Sequence, residues 1–259
     1  MKIAVIGGGS TYTPELVSGF LAITDSLPLR ELWLMDIDPA RLQIVGSFAQ
    51  RMVAAHGKPF ELILSDDQRL TITNASYVIT QLRVGQMPAR IRDEYLGRRH
   101  GLIGQETTGV GGMAKALRTI PVMLHIAADI LETAPRALLL NFTNPSGLVT
   151  EALARYRPQI SVVGVCNTGI TAKMEIIARC ESLLGKVIDP SHAILFSLGL
   201  NHLTWHRGFL VDGQDLWHRL FEGYLEQQRF LPDPEWDLQL LTSLGMLPNN
   251  YLHYYYDTA

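Results

Sequence analysis

Residues 1–10 read MKIAVIGGGS, and this stretch, taken together with Asp36, decides the fold. Lys2–Ile6 is a short apolar, β-branched run, and Gly7-Gly8-Gly9-Ser10 follows at once. That pattern is a buried first strand ending in a turn whose backbone must come close to a ligand. Ser10–Thr13 offer hydroxyls, Pro14 suits a first helical position and Glu15 a first turn, so a helix is predicted to open there. A helix start behind a glycine turn presents free N–H groups to an anion, here a pyrophosphate. A second apolar run, Glu31–Met35, ends in Asp36. A carboxylate at the tip of strand two is placed to accept hydrogen bonds from a ribose and to repel a 2′-phosphate. Gly7, Gly9, Ser10 and Asp36 are therefore the candidate contacts for NAD. The third glycine of a G-x-G-x-x-G fingerprint would fall at position 12, where Tyr12 stands. A glycine turn in an ordinary βα unit would explain the glycines but not the placing of Asp36.

Length and composition set the frame. A chain of 259 residues has room for one large α/β domain and part of a second. It is 47% hydrophobic and 18% charged with net charge −3, which supports a sizeable core and gives no basic field for nucleic acid or a membrane surface. Cys166 and Cys180 stand alone with no disulfide framework around them. Few thiols, no signal peptide and no long apolar span fit a reducing cytoplasm.

Strands and helices then alternate. Pro39–His56 reads as an amphipathic helix, Phe60–Leu64 as a third strand and Tyr77–Leu82 as a fourth. Ala114–Glu132 is a further helix, Arg136–Phe142 a fifth strand, and Ile160–Val165 a sixth that ends in Cys166-Asn167. This order predicts a Rossmann-like, doubly wound, mostly parallel α/β sheet with ligands beyond the carboxyl ends of its strands. The expected division is an NAD-binding domain over residues 1–170 and the first part of an α+β substrate-binding and dimerisation domain over 171–259. In that second part Ile170–Leu184 and Asp215–Gln228 look helical, and Ala193–Leu200 and Leu203–Val211 look like strands separated by Asn201-His202.

The segment Arg83–Gly112 breaks the rhythm with six cationic side chains from Arg83 to His100, followed by Gly104-Gln105-Glu106-Thr107-Thr108-Gly109. A solvated helix with a surface loop explains this; so does a pair of arginines holding an anionic substrate group by forked hydrogen bonds. Asn144-Pro145 closes the fifth strand, where a substrate and a nicotinamide would meet, and Asn-Pro is equally a common turn. Cys166 at a strand tip stands open to three readings: a buried small hydrophobe, a nucleophile, or a metal ligand with His202 as its best companion. His192, His206, His218 and His253 read as satisfied or surface groups.

A family resemblance becomes specific here. Val5-Ile6-Gly7-Gly8-Gly9-Ser10, Gly104-Gln105-Glu106-Thr107, Asn141-Phe142-Thr143-Asn144-Pro145, Val165-Cys166-Asn167, Gly199-Leu200-Asn201-His202 and Leu247-Pro248-Asn249-Asn250-Tyr251-Leu252 together resemble glycoside hydrolase family 4, the NAD- and Mn2+-dependent 6-phospho-glycosidases. The match runs in order along nearly the whole chain, although members of the family are longer. The resemblance implies that Cys166 and His202 are metal ligands. It implies that Arg90 and Asn144 contact the phosphosugar, that Glu106 lines the site and that Tyr251 is the base. Asn167, directly after the cysteine, resembles the members acting on β-glucosides, so the expected substrate is a phosphorylated β-linked disaccharide and the expected protein a homo-oligomer, dimer or tetramer.

The implied chemistry is an exception to the two-carboxylate rule of glycosidases. NAD takes a hydride from C3 of the sugar, the metal polarises the resulting ketone, Tyr251 removes the C2 proton, and elimination, water addition and hydride return complete the cycle. A free tyrosine titrates near pH ~10, so this role calls for a nearby cation. Three alternatives stand beside it: a 6-phospho-α-glucosidase of the same family, a lactate/malate-type NAD-dependent dehydrogenase, and a truncated non-catalytic nucleotide-binding module.

Overall fold

A computed structural model describes residues 1–256. The chain divides into two compact units, Met1–Val165 and Cys166–Ala259.

The first unit is built from β1 (Lys2–Ile6), α1 (Thr13–Ala22), β2 (Glu31–Met35), α2 (Pro39–Ala55), β3 (Glu61–Ser65), α3 (Gln68–Ile72), β4 (Tyr77–Thr80), α4 (Gln86–Arg98), α5 (Gly109–Thr133), β5 (Leu138–Asn141), α6 (Ser146–Tyr156) and β6 (Ser161–Gly164). Its six strands form one parallel sheet in the order β3-β2-β1-β4-β5-β6. That is the predicted doubly wound arrangement, with the reversal of strand order between β1 and β4. Alternation along β1 feeds two cores. Ile3 and Val5 pack with Leu32, Leu34 and the α1 and α2 residues Val17, Leu42 and Val53. Ala4 and Ile6 pack with Val78, Leu139 and the α5 and α6 residues Met123, Ile126, Ile130 and Leu153.

Sequence reading passed over α3 and treated Arg83–Gly112 as a break. In the structure Asp67 caps α3 by accepting from Leu70 N at 2.9 Å. The break contains α4, and α5 begins at Gly109 rather than Ala114. This is the solvated helix that was one of the two readings of the segment: α4 is highly charged and carries its apolar residues Met87, Ile91 and Tyr95 on an exposed face.

The turn after β1 needs its first glycine. Gly7 has φ +95°, and a Cβ there would meet the Gln81 carbonyl oxygen at 2.8 Å. Gly7→Ala is therefore expected to destabilise the first unit by about 1–3 kcal/mol from backbone strain alone. Urea unfolding of the two proteins checks this, and equal midpoints would refute it.

The second unit contains α7 (Thr168–Leu184), β7 (Ala193–Leu200), β8 (Leu203–Val211), β9 (Gln214–Asp215), α8 (Trp217–Arg229), α9 (Leu238–Leu244), β10 (Leu247–Pro248) and α10 (His253–Tyr256), with short 3₁₀ turns at Pro190–His192 and Asn250–Leu252. A small antiparallel sheet runs β10-β8-β7, with β9 also on β8. Its core joins Ile176, Ile177 and Cys180 of α7 to Phe209 of β8 and Leu220 and Leu225 of α8. No helix among the described residues is long and apolar enough to cross a membrane.

Candidate active site

The glycine turn is pinned to the end of β2. The N–H groups of Gly7 and Gly8 donate to the Met35 carbonyl at 2.9 and 2.7 Å. Gly9 N donates to Asp36 Oδ2 at 2.8 Å and Asp38 N to Oδ1 at 3.0 Å. Asp36 thus fixes the turn itself, and an ionised carboxylate, with about four acceptor sites, retains capacity for a ribose hydroxyl. Ser10 N donates to Gly7 O, and Ser10 Oγ accepts from Tyr12 N. The missing third glycine has a local explanation. Tyr12 is turned outward, and the fully buried Thr13 makes the close packing against the strand. Its hydroxyl donates to Gly8 O at 2.8 Å and accepts from Gln81 Nε2 at 2.8 Å.

A second cluster gathers on Glu106. Its carboxylate pairs with Arg83, which follows β4, with Lys115 Nζ of α5 at 2.7 Å and with Arg90 NH1 of α4 at 3.6 Å. Arg90 Nε also donates to Glu94 at 2.8 Å. Gln105 Oε1 accepts from Thr107 N and Thr108 N, which holds the turn bearing Glu106 against the start of α5. Burial works against the Glu106 carboxylate, but the hydrogen bonds from Arg83 and Lys115 outweigh it and hold its pKa below the usual range. Burial prevails for Lys115, which is only 3% exposed, and lowers its pKa. Sequence reading named Glu106 and Arg90 but missed Lys115. A single lysine in the apolar run from Met113 to Leu117 was the only available signal.

The β5–α6 turn is a third feature. Asn141 Oδ1 accepts from Thr80 Oγ1 and Thr143 N, while Asn144 Oδ1 accepts from Ser146 N at 3.3 Å, and the Asn144–Pro145 peptide is cis.

In the second unit, residues far apart in sequence meet. Cys166 precedes α7, and a two-residue hairpin between β7 and β8 presents His202 at its tip. Gly199 permits that hairpin, since at φ +109° a Cβ would lie 2.1 Å from the Leu203 carbonyl oxygen. Cys166 Sγ lies 3.5 Å from His202 Nε2 and 3.1 Å from Thr168 Oγ1. The Tyr251 ring stacks on the His202 imidazole, with centroids 3.9 Å apart and planes 4° from parallel. Asn249 Oδ1 accepts from Tyr251 N at 3.0 Å and fixes the turn that carries it. Asn167 stands beside Cys166 at the N-cap of α7. Burial lowers the pKa of His202, which favours the neutral imidazole that a metal requires.

The donor pair fits one divalent ion. Metal–sulfur and metal–nitrogen bonds of about 2.3 and 2.1 Å, at 90–110° to one another, separate the two donors by roughly 3.1–3.6 Å. Among the described residues no group of three or more His, Cys, Asp or Glu side chains could hold a metal. Cys166 and His202 would therefore bind it as a pair and leave its remaining positions to oxygen ligands, an open catalytic site rather than a closed structural one.

His206 departs from its expected role. It is 4% exposed; Nδ1 bonds Ser197 Oγ at 2.8 Å, and Nε2 is buried without a hydrogen-bond partner among the described residues. The strand pattern alone gave no warning of a half-satisfied histidine in the core.

Comparison with known proteins adds an independent line. A sequence profile described as "Family 4 glycosyl hydrolase" matches residues 2–181, and one described as "Family 4 glycosyl hydrolase C-terminal domain" matches residues 197–259. A "Probable 6-phospho-beta-glucosidase" of Bacillus subtilis is 42% identical over 265 residues, covering 100% of this chain and 59% of the relative. A "6-phospho-alpha-glucosidase 1" of Lacticaseibacillus paracasei is 32% identical, covering 98% of this chain and 60% of the relative. The 6-phospho-beta-glucosidase of Thermotoga maritima, solved with manganese, NAD+ and glucose-6-phosphate, superposes with a TM-score of 0.86 at 37% identity, over 98% of this chain and 59% of that one. The chain spans about three fifths of the length of the curated relatives it matches.

Proposed function

Because the chain belongs to family 4 of the glycosyl hydrolases, we propose that it hydrolyses 6-phospho-β-glucosides with NAD and Mn2+ (or another divalent metal) as cofactors. The observation that carries this reading is the approach of Cys166 Sγ to His202 Nε2, with the Tyr251 ring stacked on the same imidazole. Bound together, the two cofactors would supply a reversible hydride acceptor and a Lewis acid, chemistry that makes the C2–H of the sugar acidic. The residues of the chain do the rest. The side-chain-free turn from Gly7 to Gly9 lets the pyrophosphate come close to the backbone, and Asp36 takes a ribose hydroxyl. Arg90, Asn144 and Asn167 orient the phosphosugar, and Glu106 keeps the cations around it in place. Tyr251, as its phenolate, takes the C2 proton on its oxygen and becomes the phenol; the electrons of that C–H bond become the C1–C2 double bond as the leaving group departs from C1.

The β-anomer is favoured by Asn167 and by the higher identity to the relative named for β-linkages. A dehydrogenase of the lactate/malate type would leave Cys166 and His202 unused. The same reading places the enzyme in the cytoplasm, where a free thiol stays reduced. It also makes the enzyme a homo-oligomer, supported by the apolar exposed face of β7 at Ile194, Phe196, Leu198 and Leu200.

The deciding experiment is hydrolysis of p-nitrophenyl 6-phospho-β-glucoside and its α-anomer with and without NAD+ and Mn2+. Release of p-nitrophenol is expected only with both cofactors, with the β-anomer preferred at least about tenfold and no net NADH. Net NADH with a 2-hydroxy acid, and no p-nitrophenol, would overturn the reading.

A further inference from the structure

A third polar group touches the sulfur of Cys166. Thr168 Oγ1 lies 3.1 Å from Cys166 Sγ, closer than His202 Nε2 at 3.5 Å. Thr168 is the first residue of α7, and its half-buried hydroxyl has no other hydrogen-bond partner among the described residues. A helical threonine commonly returns its hydroxyl to a carbonyl one turn back, as Thr71, Thr133 and Thr242 do in this chain. At the start of a helix there is no preceding turn to return to, and the Thr168 hydroxyl goes to sulfur instead.

Chemistry fixes the direction of that bond. A metal binds cysteine as the thiolate, which has no proton to give, so Thr168 must be the donor. The metal also removes the competing contact. An ion held between Sγ and Nε2 takes the place of the thiol–imidazole hydrogen bond, and of the two groups on the sulfur only the threonine hydroxyl keeps its bond. Asn167 is no substitute, since its Oδ1 is 4.0 Å from the sulfur. The hydroxyl is also firmly placed. Branching at Cβ restricts χ1 of Thr168, and the first turn of α7 is closed by Thr171 N donating to Asn167 O at 2.9 Å.

We propose that Thr168 is a positioning residue of the metal site, its hydroxyl donating to the Cys166 thiolate. The bond holds the sulfur on the side that faces His202. It also draws charge from the sulfur, which leaves a bound ion more electron-poor towards its oxygen ligands. The assignment rests on the function proposed above, where Cys166 and His202 are the metal's protein ligands.

The test uses Co2+ alone as a spectroscopic probe, titrated under reducing conditions into the wild-type chain and into Thr168→Val, Thr168→Ala and Thr168→Ser. The wild type is expected to show a sulfur-to-cobalt charge-transfer band. Loss of the hydroxyl in Thr168→Val or Thr168→Ala should weaken Co2+ binding about 10–100-fold, as loss of an outer-shell partner does, and move the band to longer wavelength because the unbonded sulfur gives up its electrons more readily. Thr168→Ser should restore most of the affinity and the band position. A threonine that only packs against α7 would leave the band where it is. A band that stays in place in both hydroxyl-free variants would therefore overturn the proposal while leaving the metal pair and the hydrolysis intact. A wild type with no charge-transfer band would remove the metal pair itself, and the proposal with it. A changed intensity of the cobalt ligand-field bands, which reports coordination number, would make Thr168 a direct ligand and overturn the outer role assigned to it.

Discussion

Cys166→Ala is expected to weaken Mn2+ binding by about 100-fold or more and to abolish phosphoglycoside hydrolysis while NAD+ binding persists. Loss of an outer-shell hydrogen bond already costs a metal site about 10–100-fold in affinity, and here one of two protein donors disappears. The nucleotide turn shares no residue with the pair, since Gly7–Ser10 is anchored by Met35 and Asp36. His202→Ala should weaken the metal to a similar degree and also remove the stacking surface of Tyr251. The double variant should be hardly worse than either single one, because residues that act as a unit are strongly non-additive. Isothermal titration with Mn2+ under reducing conditions, beside NAD+ titration, checks all three. Unchanged Mn2+ affinity in Cys166→Ala would remove the physical basis of the mechanism, and the 3.5 Å contact would then be only a thiol–imidazole hydrogen bond.

The parts of the fold that could be read in advance are those where a local pattern and its tertiary role coincide. Lys2–Ile6 and Glu31–Met35 are apolar because both faces of a parallel strand are covered, so their sequence and their burial say the same thing. Asp36 was legible because strand, turn and acid occupy fixed offsets. The α4 segment was legible only as one of two readings, a solvated helix beside an arginine clamp, because its apolar residues face outward and Asp93 on it pairs across to Arg118 of α5 at 2.5 Å. Short elements such as β10, only Leu247–Pro248, are defined by their partner in β8 and carry no period of their own. The site divides in the same way. Glu106 could be found in a motif, but Lys115 could not, since a lysine becomes a buried counter-ion only through the loop that folds over it. The meeting of Cys166 with His202 depends on how β7 and β8 form their hairpin. Thirty-six residues of separation contain no information about that distance.

The buried ion pair leads to the second large effect. Glu106→Leu is expected to destabilise the first unit by about 3–5 kcal/mol, because it strands the Lys115 ammonium in a site where water cannot replace the lost partner. The reverse change should be milder. In Lys115→Met the carboxylate keeps Arg83 and Arg90, both partly exposed and able to adjust. Glu106→Leu combined with Lys115→Met removes both buried charges and should recover most of the loss, since apolar replacement of a whole buried pair is often neutral or better. Acid distinguishes this account from simple loss of packing. Glu106 titrates below its ordinary value in the folded chain, so its stabilising contribution is complete above the unfolded carboxylate pKa near ~4.3 and is lost as the pH falls through the lower folded value. The gap in stability between wild type and Glu106→Leu should therefore be widest near neutral pH and narrow below about pH 4. Urea denaturation at pH 7 and at pH 3.5 measures it. A gap of the same size at both values would mean that the side chain contributes volume and not charge.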